Sequence, residues 1–511
     1  MDSEKIMSNS RTKNLKLNVM IGFLVQIGML VLSFIGRKIF LNFLSVDYLG
    51  INGLYSNILT VLSLAELGLD SAVLFSLYKP VAEGNRPLIG SLMRFFRNIY
   101  YILAGAIFAV GLLLIPFLRF IINSDLPQND LIIYYILFLT NTVASYFVAH
   151  KVALLSAYQE QRIQKTVSLC SSFILQILHI VVLLIWKNYY IYIVATVLTT
   201  IINNIILGGI ARKFHSDDFK TAETVEFDKK VIYKRISSTF LYKIGSVLVT
   251  STDNILISIL ISTAAVGLYS NYYTVVAAFQ GFIAIITTSL VSGIGNLSVK
   301  GDKKRQREIF NLMLLFYHLV AALGMIGFSL LFNNVIDIWL GKEYLFDKWT
   351  VVVIAFNFYL SNAISPVWMY REANGLFDKV KFLMIIRAVI NIAFSVLFGL
   401  IWGVCGIFLA TAISLLLTNF WYEPSILFKN VFEQSAKQYW LKQLKYFLAT
   451  AVALAISYIS VRYLGDNIGW LILKAVIVCA ITGIAFLIVS IKSGELKTAK
   501  SILFHKKEKN K

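Results

Sequence analysis

Charge is scarce in this chain. Only 14% of its 511 residues are Asp, Glu, Lys or Arg, while 58% are hydrophobic. A soluble domain carries about 25% charged residues, and no soluble fold of this length could bury so much apolar surface. Disorder, collagen, coiled coil and a secreted disulfide scaffold fall to the same arithmetic. Cysteine is rare too. Cys170, Cys405 and Cys479 each sit in an apolar run with no CxxC spacing, so they read as small hydrophobes in helices. The five histidines, His150, His179, His215, His318 and His505, are scattered, which argues against a metal site. There is no GxxxxGK[ST], hence no P-loop nucleotide site, and no cofactor is expected. No loop is long enough for a soluble domain. The longest runs from 212 to 235, with mixed charge between Asp217 and Lys230.

What remains is a series of apolar runs, each close to the ~20 residues a membrane helix needs. Fourteen are expected: 17–44, 50–78, 98–118, 131–150, 166–186, 189–211, 236–261, 266–295, 309–332, 349–370, 382–401, 404–425, 446–463 and 469–491. Ala388–Tyr422 has no charge at all and is too long for one span, so Gly399, Gly403 and Gly406 are expected to mark a hairpin. The first apolar run is longer than the ~7–15 residues of a signal h-region and contains Arg37 and Lys38, so it is read as a span and not a cleavable signal. The fold expected is an all-α polytopic membrane protein.

Lys and Arg set the orientation. With the N-terminus inside, 37 of the 47 fall in inner loops and tails and five in outer loops or at their edge, Arg462 being the one at an edge. N-terminus and C-terminus are therefore expected in the cytoplasm, and the net charge of +20 is mostly a topology signal that also suits an anionic leaflet. Basic runs such as Lys303-Lys304-Arg305 are short and flank spans, so no nucleic-acid partner is expected.

The sequence also repeats. Gly53-Leu54-Tyr55-Ser56-Asn57 recurs as Gly267-Leu268-Tyr269-Ser270-Asn271, and Thr60-Val61 as Thr274-Val275 at the same offset. Each copy opens the second span of a pair after a short outer loop. Six spans separate them, which gives both halves one orientation and relates them by an axis along the membrane normal. The expected organisation is a six-helix lobe at 1–214, a second at 215–428, and two added helices with a basic tail at 429–511.

Nine charges fall inside spans: Arg37, Lys38, Glu66, Asp70, Lys243, Asp253, Arg387, Glu423 and Lys474. A charge near the bilayer centre costs ~2.5–3.5 kcal/mol on the insertion scale, so each wants a partner or a wet cavity. Glu423 and Lys474 lie near span ends and read as snorkelling residues. Glu66 and Asp70, four apart, are expected on one face of span two, where they would bind a proton or cation or hold the basic residues of span one. Arg37 has two open readings: a buried pair with Glu66, or a substrate contact. Lys38 points about 100° away from it. Lys243 and Arg387 have no carboxylate partner in their own helices. With Arg37 and Lys38 they form a candidate cationic, substrate-binding cavity that would hold phosphate oxygens, Arg bidentately and Lys as a point charge. Aligning Gly36-Arg37-Lys38-Ile39 with Thr252-Asp253-Asn254-Ile255, with a two-residue gap before the repeat, puts Arg37 and Asp253 at equivalent depths, a candidate outer gate. Asn141, Asn203, Asn204, Gln176, Gln280, Asn357, Asn362 and Asn391 are expected to bond between helices. Pro366 is a candidate kink. Trp186, Tyr189, Tyr190, Trp339, Trp349, Tyr439, Trp440 and Trp470 are expected as interface anchors.

The stretches Gly36-Arg37-Lys38-Ile39-Phe40-Leu41, Tyr48-Leu49-Gly50-Ile51-Asn52-Gly53-Leu54 and Leu64-Ala65-Glu66-Leu67-Gly68-Leu69 resemble the polysaccharide flippases of the multidrug/oligosaccharidyl-lipid/polysaccharide exporter superfamily. Thr252-Asp253-Asn254-Ile255-Leu256-Ile257 and Val266-Gly267-Leu268-Tyr269 carry the likeness into the second half. The resemblance implies a non-enzymatic, multi-pass transporter of the cytoplasmic membrane. It would flip undecaprenyl-diphosphate-linked oligosaccharides from the inner to the outer leaflet. Implied partners are that lipid-linked oligosaccharide, membrane lipids, a coupling H+ or Na+, and other polysaccharide-assembly proteins. A drug or small-molecule antiporter of the same superfamily is the alternative. A membrane polymerase or ligase is a poorer one, because the outer loops are short.

Overall fold

In the computed structural model the described residues are 26–66, 69–220, 225–300, 303–491 and 494–496. Among them there is no strand. The helices are α1 (Gln26–Phe43), α2 (Val46–Leu62), α3 (Leu69–Glu83), α4 (Arg86–Leu113), α5 (Leu118–Ile121), α6 (Gln128–Ala157), α7 (Gln161–Ile185), α8 (Tyr189–Phe214), α9 (Ser216–Lys220), α10 (Lys229–Leu260), α11 (Thr263–Lys300), α12 (Lys303–Trp339), α13 (Lys348–Ala373), α14 (Lys381–Leu417), α15 (Asn419–Leu427), α16 (Lys437–Val461) and α17 (Ile468–Ser490). Eleven helices among the described residues are long and apolar enough to cross a membrane.

Two places explain much of the difference from fourteen runs. Span two does not run unbroken from 50 to 78: α2 ends at Leu62, a 3-10 turn covers Ser63–Glu66, and α3 begins at Leu69. The run Lys381–Phe432 counts as one candidate span, yet it turns inside α14 at Gly403, whose φ is +60°. Asn391 donates to Thr411 at 3.0 Å, although twenty residues of straight helix would separate them by about 30 Å. Gly406 allows the return. A Cβ there would lie 2.0 Å from the Phe398 carbonyl oxygen. The expected hairpin is present.

Loops start helices by capping. Asn85, Asn188, Asp228, Asp347 and Asn467 each accept from a backbone N–H in the first turn that follows. Large apolar side chains such as Leu113, Leu400 and Ile491 are openly exposed, as lipid-facing surfaces require.

The chain divides into two compact units, Met1–Ser270 and Asn271–Lys511. In the first, Tyr55, Tyr100, Tyr135 and Phe96 are fully buried. Tyr55 donates to the Leu131 carbonyl at 2.7 Å and Tyr135 to that of Gly111 at 3.1 Å. Helix α10 belongs to this unit and packs on α2, α3 and α5. In the second unit α13 packs against α12, α14 and α15.

Some aromatic expectations give way. Trp186 and Trp349 are exposed as anchors should be, but Tyr189 is 2% exposed and Tyr439 1%. The Tyr189 ring is enclosed by Tyr48 and Tyr134, with centroids at 4.6 and 4.8 Å. Three of the asparagines bond between helices as expected, whereas Asn362 donates to the Phe358 carbonyl of its own helix and Asn141 Oδ1 has no partner. Asn204 donates to the Ala144 carbonyl, Asn357 to that of Phe408, and Ser171 donates to Asn203.

Candidate functional site

The break in span two assembles the first site. Glu66 ends the 3-10 turn and Asp70 lies in the first turn of α3. They are therefore not neighbours on one continuous helix face, as the spacing suggests. They are still brought into one network. The buried Tyr100 hydroxyl donates to Asp70 Oδ1 at 2.7 Å. The buried Tyr146 hydroxyl donates to Glu66, and the two tyrosine rings lie 6.4 Å apart. Lys243, on α10, is within electrostatic reach of Glu66. Glu66 and Lys243 are half-buried and Asp70 is exposed. Glu66 and Asp70 are within electrostatic reach of one another, and two carboxylates so placed can hold a proton or a small cation. Sequence reading found the carboxylates and Lys243 and missed both tyrosines, which come from α4 and α6.

A second cluster joins the two copies of the repeat. Helices α2 and α11 cross at their starts. A Cβ on Gly50 would sit 1.9 Å from the Thr263 carbonyl oxygen, and one on Gly267 would sit 2.1 Å from that of Val46. Only glycine permits so close an approach. Around the crossing, Asn123 and Thr263 form a reciprocal pair: Thr263 N–H donates to the Asn123 carbonyl at 2.9 Å, and Asn123 N–H donates to Thr263 Oγ1 at 3.0 Å. Asn123 Nδ2 also donates to the Ile261 carbonyl, and Ser258 to that of Ile121. Three loops that hydropathy assigns to the same side of the membrane thus meet in one clasp. Arg37 belongs to it: its guanidinium donates to Ser270 Oγ at 3.0 Å. Asp253 is half-buried on α10, next to Asn254, whose amide faces Gly53. Lys38 is exposed.

The third cluster is in the other unit. Arg371 and Glu423 form an ion pair at 2.7 Å with side chains 7% and 0% exposed. Asn419 donates to Glu423. Arg387 is buried and within electrostatic reach of Glu423. The snorkelling reading of Glu423 is thereby overturned. Its carboxylate is sealed, because Arg371 and Asn419 neutralise and hydrogen-bond it. Arg371 was missed because it follows the apolar run of α13 and counts as a loop residue. Lys474 does reach outward, to Asp466 at 2.8 Å.

Among the described residues no group of three or more His, Cys, Asp or Glu is placed to hold a metal ion. Of the four proposed diphosphate ligands, Arg37, Lys38 and Lys243 belong to the first unit and Arg387 to the second.

Comparison with known proteins gives the chain its setting. Among curated protein sequences none matches significantly. Solved structures share the fold. The lipid II flippase MurJ, in an inward closed conformation, superposes with a TM-score of 0.65 at 15% identity, covering 92% of this chain and 98% of that one. An inward-facing multidrug resistance MATE family transporter of the MOP superfamily gives 0.57 at 13% identity, covering 80% and 99%. A MOP superfamily transporter from Pyrococcus furiosus gives 0.56 at 12%, covering 82% and 95%. The fold is that of these transporters. The model of the polysaccharide biosynthesis protein family matches residues 15–297, more than half of the chain, and the protein belongs to that family.

Proposed function

We propose that this protein flips undecaprenyl-diphosphate-linked oligosaccharide repeat units from the inner to the outer leaflet of the cytoplasmic membrane, by alternating access, for cell-surface polysaccharide biosynthesis. The observation that carries the reading is membership of a polysaccharide biosynthesis family by a chain of transporter fold. The two lobes, 1–214 and 215–428, would be the bodies that rock, with 429–511 as an addition. In this reading Arg37, Lys38, Lys243 and Arg387 offer cationic contacts to the diphosphate, Arg as a bidentate fork and Lys as a point charge. Glu66 and Asp70, with their tyrosines, bind the coupling H+ or Na+. Arg37 and Asp253 act at the outer gate, beside the Gly50–Gly267 crossing. The reaction is transport, and no catalytic group is assigned.

The test is depletion of the protein in cells that make a labelled lipid-linked oligosaccharide. The label should accumulate on the inner leaflet, where impermeant glycosidase fails to reach it in intact spheroplasts. Labelling that stays outside would overturn the reading. Orientation is checked in a variant lacking Cys170, Cys405 and Cys479. Lys304→Cys and Ala436→Cys should then label only from inside, and Leu126→Cys and Tyr344→Cys only from outside. A second reading, an ion-coupled small-molecule antiporter, is favoured by the carboxylate–tyrosine network and by the MATE fold. It would show as drug efflux lost on depletion with surface glycan unchanged.

A further inference from the structure

A cavity of about 160 Å³ opens at the end of the first unit opposite the clasp, between α4, α6, α8 and α9. Arg94, Arg97, Lys151 and Arg212 line it, together with His150 and Asp218. Lys151 is within electrostatic reach of Arg212, and His150 of Lys151 and Arg97. The carboxylate in the lining, Asp218, is already engaged. It accepts from the Tyr158 hydroxyl at 2.7 Å and lies 3.9 Å from His215 Nδ1. Arg97, Lys151 and Arg212 therefore converge on one concavity, with Arg94 beside them.

Positive charge at this end serves topology, but topology does not require convergence. Cations that only orient a chain repel one another and spread into water. Here they are gathered around a polar wall. His150 supplies an independent observation. Its ring is 2% exposed, edge-on to Tyr101, and its Nδ1 has no hydrogen-bond partner. A buried nitrogen left unsatisfied is unfavourable, and an acceptor in the cavity would satisfy it. The volume is worth roughly five waters at ~30 Å³ each, room for a phosphate group and too little for a nucleoside.

We propose that this pocket binds a phosphate group, from an anionic lipid headgroup or from free phosphate, with Arg97, Lys151 and Arg212 as its charged ligands and His150 Nδ1–H as a donor at its base. Arg94 is tied to Ser91 Oγ at 3.3 Å and completes the positive wall. The site shares no residue with the clasp or with the Glu66–Asp70 network, and it does not depend on the transport reading.

The test uses the full chain in nanodiscs. In phosphatidylcholine discs, inorganic phosphate and pyrophosphate are titrated by isothermal calorimetry. In parallel, discs carrying phosphatidylglycerol are analysed by native mass spectrometry for retained lipid. Arg97 and Arg212 are exposed, so Arg97→Gln with Arg212→Gln should keep the apo melting temperature while weakening binding at least ten-fold. His150→Phe keeps a ring against Tyr101 and should weaken it several-fold. If that variant misfolds, the arginine pair decides alone. Variant-sensitive retention of phosphatidylglycerol identifies the lipid source, and variant-sensitive phosphate binding identifies the free anion. Binding of neither probe by the wild type, or binding that the arginine pair leaves unchanged, overturns the proposal.

Discussion

Each unit carries acidic residues within its apolar segments, and the two treat them differently. In the second, Glu423 is wholly enclosed, paired with Arg371 at 2.7 Å, bonded by Asn419 and within reach of Arg387. In the first, Glu66 and Asp70 receive hydrogen bonds from neutral tyrosines, at a break in the helix, with Asp70 exposed and Lys243 as nearby charge. A sealed, neutralised carboxylate holds helices together. A reachable, under-neutralised pair can exchange a proton or an ion. The residue types are alike, and access and neutralisation distinguish the two settings.

The largest effect should come from breaking the sealed pair. Glu423→Ala or Arg371→Ala leaves one buried charge unpaired, which costs about 3–5 kcal/mol. Melting in detergent should fall sharply and membrane levels with it. The double change Arg371→Met with Glu423→Leu should regain most of the loss, because apolar replacement of a buried pair is often neutral. Single variants as stable as the wild type would mean that the pair is not sealed.

The clasp comes next. Gly50→Val drives a side chain into the Thr263 carbonyl, and transport should be lost at normal membrane levels. Gly53→Ala meets Val266 at 3.3 Å and Asn254 at 3.9 Å and should be mild. If Arg37 and Asp253 meet across the cleft in the cycle, Arg37→Asp with Asp253→Arg should recover activity that each single change loses. A swap as inactive as its singles, with Arg37 coupled instead to Glu66, returns Arg37 to pairing within its own lobe.

Glu66→Gln sets the two units directly against each other. It should move stability by about 1 kcal/mol at most, since partner hydroxyls can bond an amide. It should nonetheless abolish or uncouple transport, which Glu423→Gln would do only through misfolding. Tyr100→Phe removes one hydrogen bond, worth about 0.6 kcal/mol in a membrane protein, and should shift the pH profile of transport. Wild-type transport in Glu66→Gln would remove the ion-coupling role.

Much of this architecture was legible in the sequence, and the exceptions have causes. Apolar runs and Lys/Arg bias are local, so the spans and the Gly403 turn could be read directly. The break after Leu62 could not, because Ser63-Leu64-Ala65-Glu66 contains no proline and continues an apolar pattern. Tyr146, which contacts both Ser63 and Glu66, lies far away in the chain. The Arg371–Glu423 pair spans 52 positions, and each member looks ordinary in its own segment. Glu66, Asp70 and Lys243 stood out because charge in an apolar run is costly. Tyr100 and Tyr146 did not, since a tyrosine in a span raises no such alarm.

The smallest effect concerns a third kind of carboxylate, neither sealed nor in a network. Asp466 lies in the loop before α17, 75% exposed, and accepts from Lys474, whose side chain is 7% exposed. Lys474 first, then Asn334, hold its carboxyl below the usual range. A depressed carboxyl contributes stability that is fully present above its unfolded value, ~3.9, and is lost as pH falls through the lower folded one. Exposure screens the pair, so the contribution should stay under about 1 kcal/mol. Asp466→Asn should therefore melt slightly below the wild type at pH 6, with the gap closing toward pH 3 and narrowing in 1 M salt. The Arg371–Glu423 pair, shielded from water, should show no such salt dependence. A gap for Asp466→Asn that stays constant across pH would mean that the loop is held by packing and not by this charge.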